Sequence, residues 1–154
     1  MLKLDILAFA AHPDDVELTC GGTILQEIKR GKKVGIVDLT AGELGTRGNK
    51  ELRASEAKAA SEVLGITVRE NLGMKDGFFA LDEANQLSII RMIRKYRPEI
   101  ILCNTPSDRH PDHGRASTLV STSVFLARLP KVITSLDDVE QSAKKTDVET
   151  SVLA

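Results

Sequence analysis

Apolar residues follow two rhythms along this chain. Short, largely apolar runs, LDILAFA at 4–10, VGIVDL at 34–39 and EIILCN at 99–104, alternate with longer segments whose apolar residues recur every three or four positions. The runs fit strands buried on both faces, and the longer segments fit amphipathic helices. Their alternation predicts an α/β fold of β-α units around a mainly parallel sheet. Strands are expected at about 3–10, 33–39, 66–72 and 99–104, and helices at about 20–31, 50–64, 84–96 and 112–126. Gly31 and Gly65 stand where a helix end calls for positive φ, and Pro98 separates a helix from a strand. In ELRASEAKAASEVLG, Leu52, Ala59, Val63 and the alanines between them are expected to form one apolar face, with Glu56, Lys58 and Glu62 toward solvent.

Polar segments follow the carboxyl ends of the strands, where parallel sheets carry their sites. LTAGELGTRGNK at 39–50 has three glycines and no apolar period, so a long loop is expected there. AHPDDVE at 11–17 follows the first strand, and RHPDHG at 109–114 follows the strand at 99–104. His12, His110 and His113 are the chain's three histidines, and all lie in these two phrases. If the backbone turns helically after each proline, positions i and i+3 share a side, which pairs His12 with Asp15 and His110 with His113. Asp14 then points elsewhere.

Two imidazoles and a carboxylate with an open fourth position are the ligand set of a catalytic zinc, with iron or manganese as alternatives. Such an ion lowers the pKa of water to about 7. A neighbouring carboxylate could accept the water's proton, and the remaining histidine could face a developing oxyanion. An isolated His-Pro-Asp is ordinary turn chemistry, since proline sets φ and Asp bonds its own backbone. Two such phrases that hold every histidine call for more. Spacing alone leaves open whether His110 or His113 is the ligand.

Composition narrows the class. A chain of 154 residues suits one domain, and a net charge of -1 offers no basic surplus for nucleic acid, so a small-molecule substrate is expected. The N-terminal apolar stretch is interrupted by Asp5 and has neither a basic lead nor a cleavage site, so neither a signal peptide nor a membrane span is expected. Cys20 and Cys103 form no C-x-x-C pair and are expected to be reduced thiols of a cytoplasmic protein. Gly21 and Gly22 fall short of a phosphate loop and are expected to serve close packing, and Phe78 and Phe79 are expected in the core.

AHPDDVELTCGGT together with DRHPDHGRAS resembles the PIG-L or LmbE-like zinc-dependent N-deacetylases. VDLTAGELGTRG, LRASEAKAASEVLG and NLGMKDGFF resemble the branch that deacetylates N-acetyl-glucosaminyl malate in bacillithiol biosynthesis. The resemblance implies a Rossmann-like three-layer αβα domain over 1–136 and a hydrolase that releases acetate from an N-acetylglucosaminyl conjugate. It implies one zinc per chain held by His12, Asp15 and His113, with Asp14 as general base. His110 would stabilise the oxyanion and protonate the leaving amine, and Asp112 would orient that imidazole. Arg53 would contact substrate. Arg47 and Arg109, with Glu43, are further candidates at the same mouth, against the default of exposed loop charges. A homo-oligomer is also implied. Residues 137–154 do not align with the family, so its C-terminal part is expected to be missing or replaced here. Two rival readings are a metal-binding domain without catalysis and a metal-dependent phosphoesterase.

Overall fold

A computed structural model describes residues 2–134 and 151–153. The chain runs β1 (Ile6–Ala10), α1 (Asp15–Lys29), β2 (Val34–Thr40), α2 (Lys50–Leu64), β3 (Val68–Met74), α3 (Glu83–Tyr96), β4 (Ile100–Leu102), α4 (Pro111–Ala127) and β5 (Ser151–Leu153). The strands form one parallel sheet in the order β3-β2-β1-β4-β5. From β1 the chain builds outward through β2 and β3, then returns to place β4 on the other side of β1. That reversal opens a crevice beyond the carboxyl ends of β1 and β4. Both His-Pro-Asp phrases leave from this crevice.

The layers follow from strand alternation. Ile6, Ala8 and Ala10 of β1, with Val34 and Ile36 of β2, pack against Val16 and Ile24 of α1. Leu7 and Phe9, with Val37, Leu39 and Ile101, pack on the other face against Ile89, Met92 and Ile93 of α3 and Leu119 and Val120 of α4. Covered on both faces, β1 and β2 are buried at every position. This is the Rossmann-like α/β fold expected of the chain. No helix among the described residues is long and apolar enough to cross a membrane. Of the expected tail at 137–154, only the backbone of β5 lies within the described residues.

Three expectations need correction. Helix α1 starts at Asp15, not near residue 20, so Gly21 and Gly22 lie inside it. Burial of Val16 and Ile24 on the sheet outweighs the weak helix propensity of the glycines. The predicted apolar face of α2 is buried only in part: Ala57 is buried as expected, but Leu52 is 48% and Val63 84% exposed. Phe79 lies in the core as expected, but Phe78 is 68% exposed beneath Lys75.

The reason α2 can dispense with an apolar inner face is a buried ion cluster. Arg69 of β3 donates Nε and Nη2 to the two oxygens of Asp38 at 2.7 and 3.0 Å, and Nη1 reaches Glu17 of α1, the Ala57 carbonyl and Ser61 Oγ. One guanidinium thereby ties both outer strands of this flank to α1 and α2. Burial holds the Asp38 carboxyl above the usual carboxylate range despite Arg69. Removing one member of such a cluster leaves the others desolvated and underpaired. Asp38→Ala is therefore expected to cost about 3 kcal/mol in urea unfolding. A loss below about 1 kcal/mol would mean that Glu17 alone satisfies Arg69.

Candidate active site

The crevice is stitched together at Ala11. Its N–H donates to Asn104 Oδ1 at 2.9 Å, and its carbonyl accepts from the Thr40 N–H and Oγ1 at 3.1 and 2.8 Å. The ends of β1, β2 and β4 are thus held at one point. Immediately beyond, the chain turns on the His12 carbonyl, which accepts from the Asp14 and Asp15 N–H groups, and α1 begins. On the other side His110 caps α4, its Nδ1 accepting the Asp112 N–H at 3.3 Å, with Pro111 opening the helix. Both helices start at the crevice and bring the His-Pro-Asp side chains face to face. The rings of His12 and His110 are 4.8 Å apart, those of His110 and His113 4.8 Å, and those of His12 and His113 5.7 Å.

The histidine nitrogens are sorted by their partners. His113 Nδ1 lies 3.2 Å from Asp108 Oδ2, and its Nε2 3.2 Å from Asp15 Oδ1. His12 Nε2 lies 3.0 Å from Asp76 Oδ1 and 3.3 Å from Asp112 Oδ2, and its Nδ1 3.6 Å from Asp15 Oδ2. Each ring therefore has one nitrogen on an outer carboxylate and the other facing Asp15. Carboxylates that take the outer N–H fix the tautomer and leave the inner lone pair for an ion. His12 and His113 each turn a nitrogen to a different oxygen of Asp15, and two imidazoles with one carboxylate are the donor types a divalent transition metal takes.

Burial opposes charge on His12, but its bond to Asp15 and the charges of Asp15 and Asp76, with Asp112, push the imidazole up to about 9. Burial likewise opposes ionisation of Asp15, yet bonds from His12 and Asn104 bring the carboxyl down to about 2. An anionic Asp15 between two rings is a ready cation receptor.

Seven of the ten residues singled out from the sequence, His12, Asp14, Asp15, Arg53, His110, Asp112 and His113, line one cavity of about 410 Å³. Glu43, Arg47 and Arg109 do not line it and are exposed. Arg53 Nη2 pairs with Asp14 Oδ1 at 3.1 Å and Nη1 donates to the Gly42 carbonyl at 3.1 Å. It lies so close over the loop that a Cβ on Gly42 would come within 2.2 Å of Nη1, and one on Gly45 within 3.2 Å. Asp112 meets His110 through its backbone N–H. Its carboxylate is fully buried and engages His12, the Gly77 N–H at 2.9 Å and Arg115 at 2.7 Å. The orienting action expected of it falls on His12. A second cleft of about 410 Å³, between α2 and β3, holds none of the three histidines.

Sequence reasoning missed Asp76, Asn104 and Asp108. Asp76 is buried, binds His12, and accepts the Leu44 N–H at 2.9 Å. Asn104 donates Nδ2 to Asp15 Oδ2 at 3.1 Å. The position of Asn104 and Asp108 just after β4 was an available signal, because polar residues at strand ends reach the crevice. Besides the histidine trio His12, His110 and His113, a second donor group among the described residues, His12 with Asp76 and Asp112, clusters closely enough for an ion. Its oxygens already take N–H bonds from Leu44, Gly77 and Arg115, so an outer hydrogen-bonding shell accounts for it without a metal.

The family model for PIG-L, GlcNAc-PI de-N-acetylase, matches residues 7–124. The chain is 33% identical over 135 residues to the diacetylchitobiose deacetylase of Thermococcus kodakarensis, covering 81% of this chain and 51% of that one. It is 28% identical over 139 residues to the probable N-acetyl-alpha-D-glucosaminyl L-malate deacetylase 2 of Bacillus anthracis, covering 82% and 61%. The crystal structure of a conserved protein from Thermus thermophilus matches with a TM-score of 0.80 at 44% identity, covering 83% of this chain and 58% of that one. The chain spans about half to three-fifths of the length of these relatives.

The two donor groups make different predictions for metal uptake. His113→Ala should abolish stoichiometric zinc binding, whereas Asp76→Asn should weaken it about 10- to 100-fold, as loss of an outer carboxylate does. The reverse pattern in chelator competition would move the ion to the Asp76 side. Because an imidazole titrating at about 9 must lose its proton to ligate, zinc affinity should rise about tenfold per pH unit from 7 toward 9 and be accompanied by proton release. Calorimetry in buffers of different ionisation enthalpy reads that proton directly.

Proposed function

The chain belongs to the PIG-L family, and from that premise we propose that it is a zinc-dependent hydrolase removing the acetyl group from an N-acetylglucosaminyl conjugate. N-acetyl-glucosaminyl malate, the bacillithiol-pathway substrate, is the conjugate we favour. The observation that carries the reading is the arrangement of two imidazoles that each turn an inner nitrogen to Asp15 while an outer carboxylate takes the other nitrogen. Relatives named for deacetylation of diacetylchitobiose and of a glucosaminyl malate agree with it.

His12, Asp15 and His113 would hold the ion. When bound, it acidifies water and polarises an acyl oxygen. Asp14, at the cavity mouth with one oxygen on Arg53, accepts the proton of the water that attacks the acetamide carbon. His110 keeps Nδ1 on the Asp112 N–H, so its ring proton sits on Nε2 and can be hydrogen-bonded to the oxyanion, while the proton taken up by Asp14 passes to the leaving amine. The C–N bond breaks, and acetate and a free amine leave. Arg53, on the cavity wall beside Asp14, would meet substrate. Arg47 and Arg109, exposed nearby, supply positive charge that suits the carboxylates of a malate aglycone. On this reading the protein works in the cytoplasm on a small molecule, as a homo-oligomer.

Amine release from N-acetylglucosamine and its malate glycoside, with and without chelator, is the direct test. Chelator-sensitive release that is faster on the glycoside is expected. Bound zinc with no release would favour a metal-binding domain without catalysis, and phosphate-ester hydrolysis with two metals per chain would favour a phosphoesterase. Asp14→Ala should keep its zinc and lose about 10²- to 10⁴-fold in kcat. Near-native turnover in that variant would remove Asp14 as the base.

A further inference from the structure

The loop between β2 and α2 is fastened to the turn after β3 by two hydrogen bonds of opposite direction. Glu43 Oε1 accepts the Asp76 N–H at 2.8 Å, and Asp76 Oδ2 accepts the Leu44 N–H at 2.9 Å. Neighbours in one segment bond reciprocally to a single residue of the other, so the pair closes a ring and neither segment can slide without breaking both. The Leu44 side chain sits over the turn, with Cδ1 only 3.1 Å from where a Cβ on Gly77 would be. Glu43 itself is exposed and adds nothing to the core.

What the ring holds is more informative than the ring. With Oδ2 on Leu44, Asp76 turns Oδ1 to His12 Nε2 at 3.0 Å. The same loop offers the Gly42 carbonyl to Arg53, whose other nitrogen pairs with Asp14. A shift of the loop would therefore reach a metal-ligand candidate through Asp76 and the candidate base through Arg53.

We propose that Glu43 is a positioning residue that, by clamping the loop to Asp76, sets both the His12 imidazole and the Arg53–Asp14 pair. The assignment rests on the function proposed above. It differs from a substrate-binding role in a testable way: Glu43 accepts a backbone N–H, which a neutral amide oxygen serves as well as a carboxylate. Charge is dispensable to a clamp and indispensable to an ionic contact with substrate.

Wild type, Glu43→Ala and Glu43→Gln are compared by amide hydrogen exchange without metal, by zinc competition, and by kcat and KM. In Glu43→Ala, exchange at the Leu44 N–H, which Glu43 does not itself bond, should quicken about tenfold, the loss expected when a supporting hydrogen bond goes. Zinc affinity should fall about tenfold, and kcat about tenfold with KM within about twofold. Glu43→Gln should restore all three. Unchanged Leu44 exchange and zinc affinity in Glu43→Ala would overturn the clamp, and so would a Glu43→Gln variant that fails as badly as alanine. Exchange and zinc binding need no turnover. A wild type that hydrolyses no acetamido sugar would end the deacetylase reading and leave those two measurements to decide the clamp.

Discussion

Everything at the site depends on β1 lying between β2 and β4. Parallel pairing of Ile6–Ala8 with Ile100–Leu102 sets two strand ends side by side, although the phrases they launch are about a hundred residues apart in the chain. Asn104 then makes the junction specific, accepting from Ala11 and donating to Asp15. A one-residue slip of β4 would turn its side chains to the opposite face and carry Asn104 off both partners. The register of one three-residue strand therefore decides whether the histidines meet.

Charge is concentrated in two places beside this junction, and each is resolved differently. Around Arg69 the answer is a closed ion cluster with carbonyl and hydroxyl partners, spanning four elements and giving α2 a polar anchor. Around His12 the carboxylates outnumber the cations, and backbone N–H groups of Leu44 and Gly77 make up part of the difference. The first arrangement satisfies the Arg69 guanidinium within the protein, although Glu17 Oε2 is buried without a hydrogen-bond partner. The second leaves the inner faces of His12, Asp15 and His113 turned toward one another, which suits a guest cation.

Much of this was legible in the sequence. Largely apolar runs announced strands buried on both faces, and the placement of every histidine after two of them announced the crevice. Less was legible where a role depends on a distant partner. Asp76 lies in KDG, which reads as a simple turn, and only the approach of two loops shows that it holds His12. The α2 face was misjudged because periodicity assumes an apolar interior, whereas Arg69 supplies a polar one. The Asp112 carboxylate was assigned to its sequence neighbour, but helical geometry turned it into the interior toward His12.

The pairing of β1 with β4 also has a consequence in time. A ribosome releases His12 and Asp15 long before it has made Asn104, Asp108 or His113. The early half-phrase presents one imidazole and neighbouring carboxylates, too few donors to retain an ion against competing ligands in the cell. On the proposed ligand set, metal would be captured only once β4 has closed against β1, after β2 and β3 already exist as a scaffold. The ion would enter as a late guest of an assembled sheet and could not serve as the nucleus around which that sheet forms.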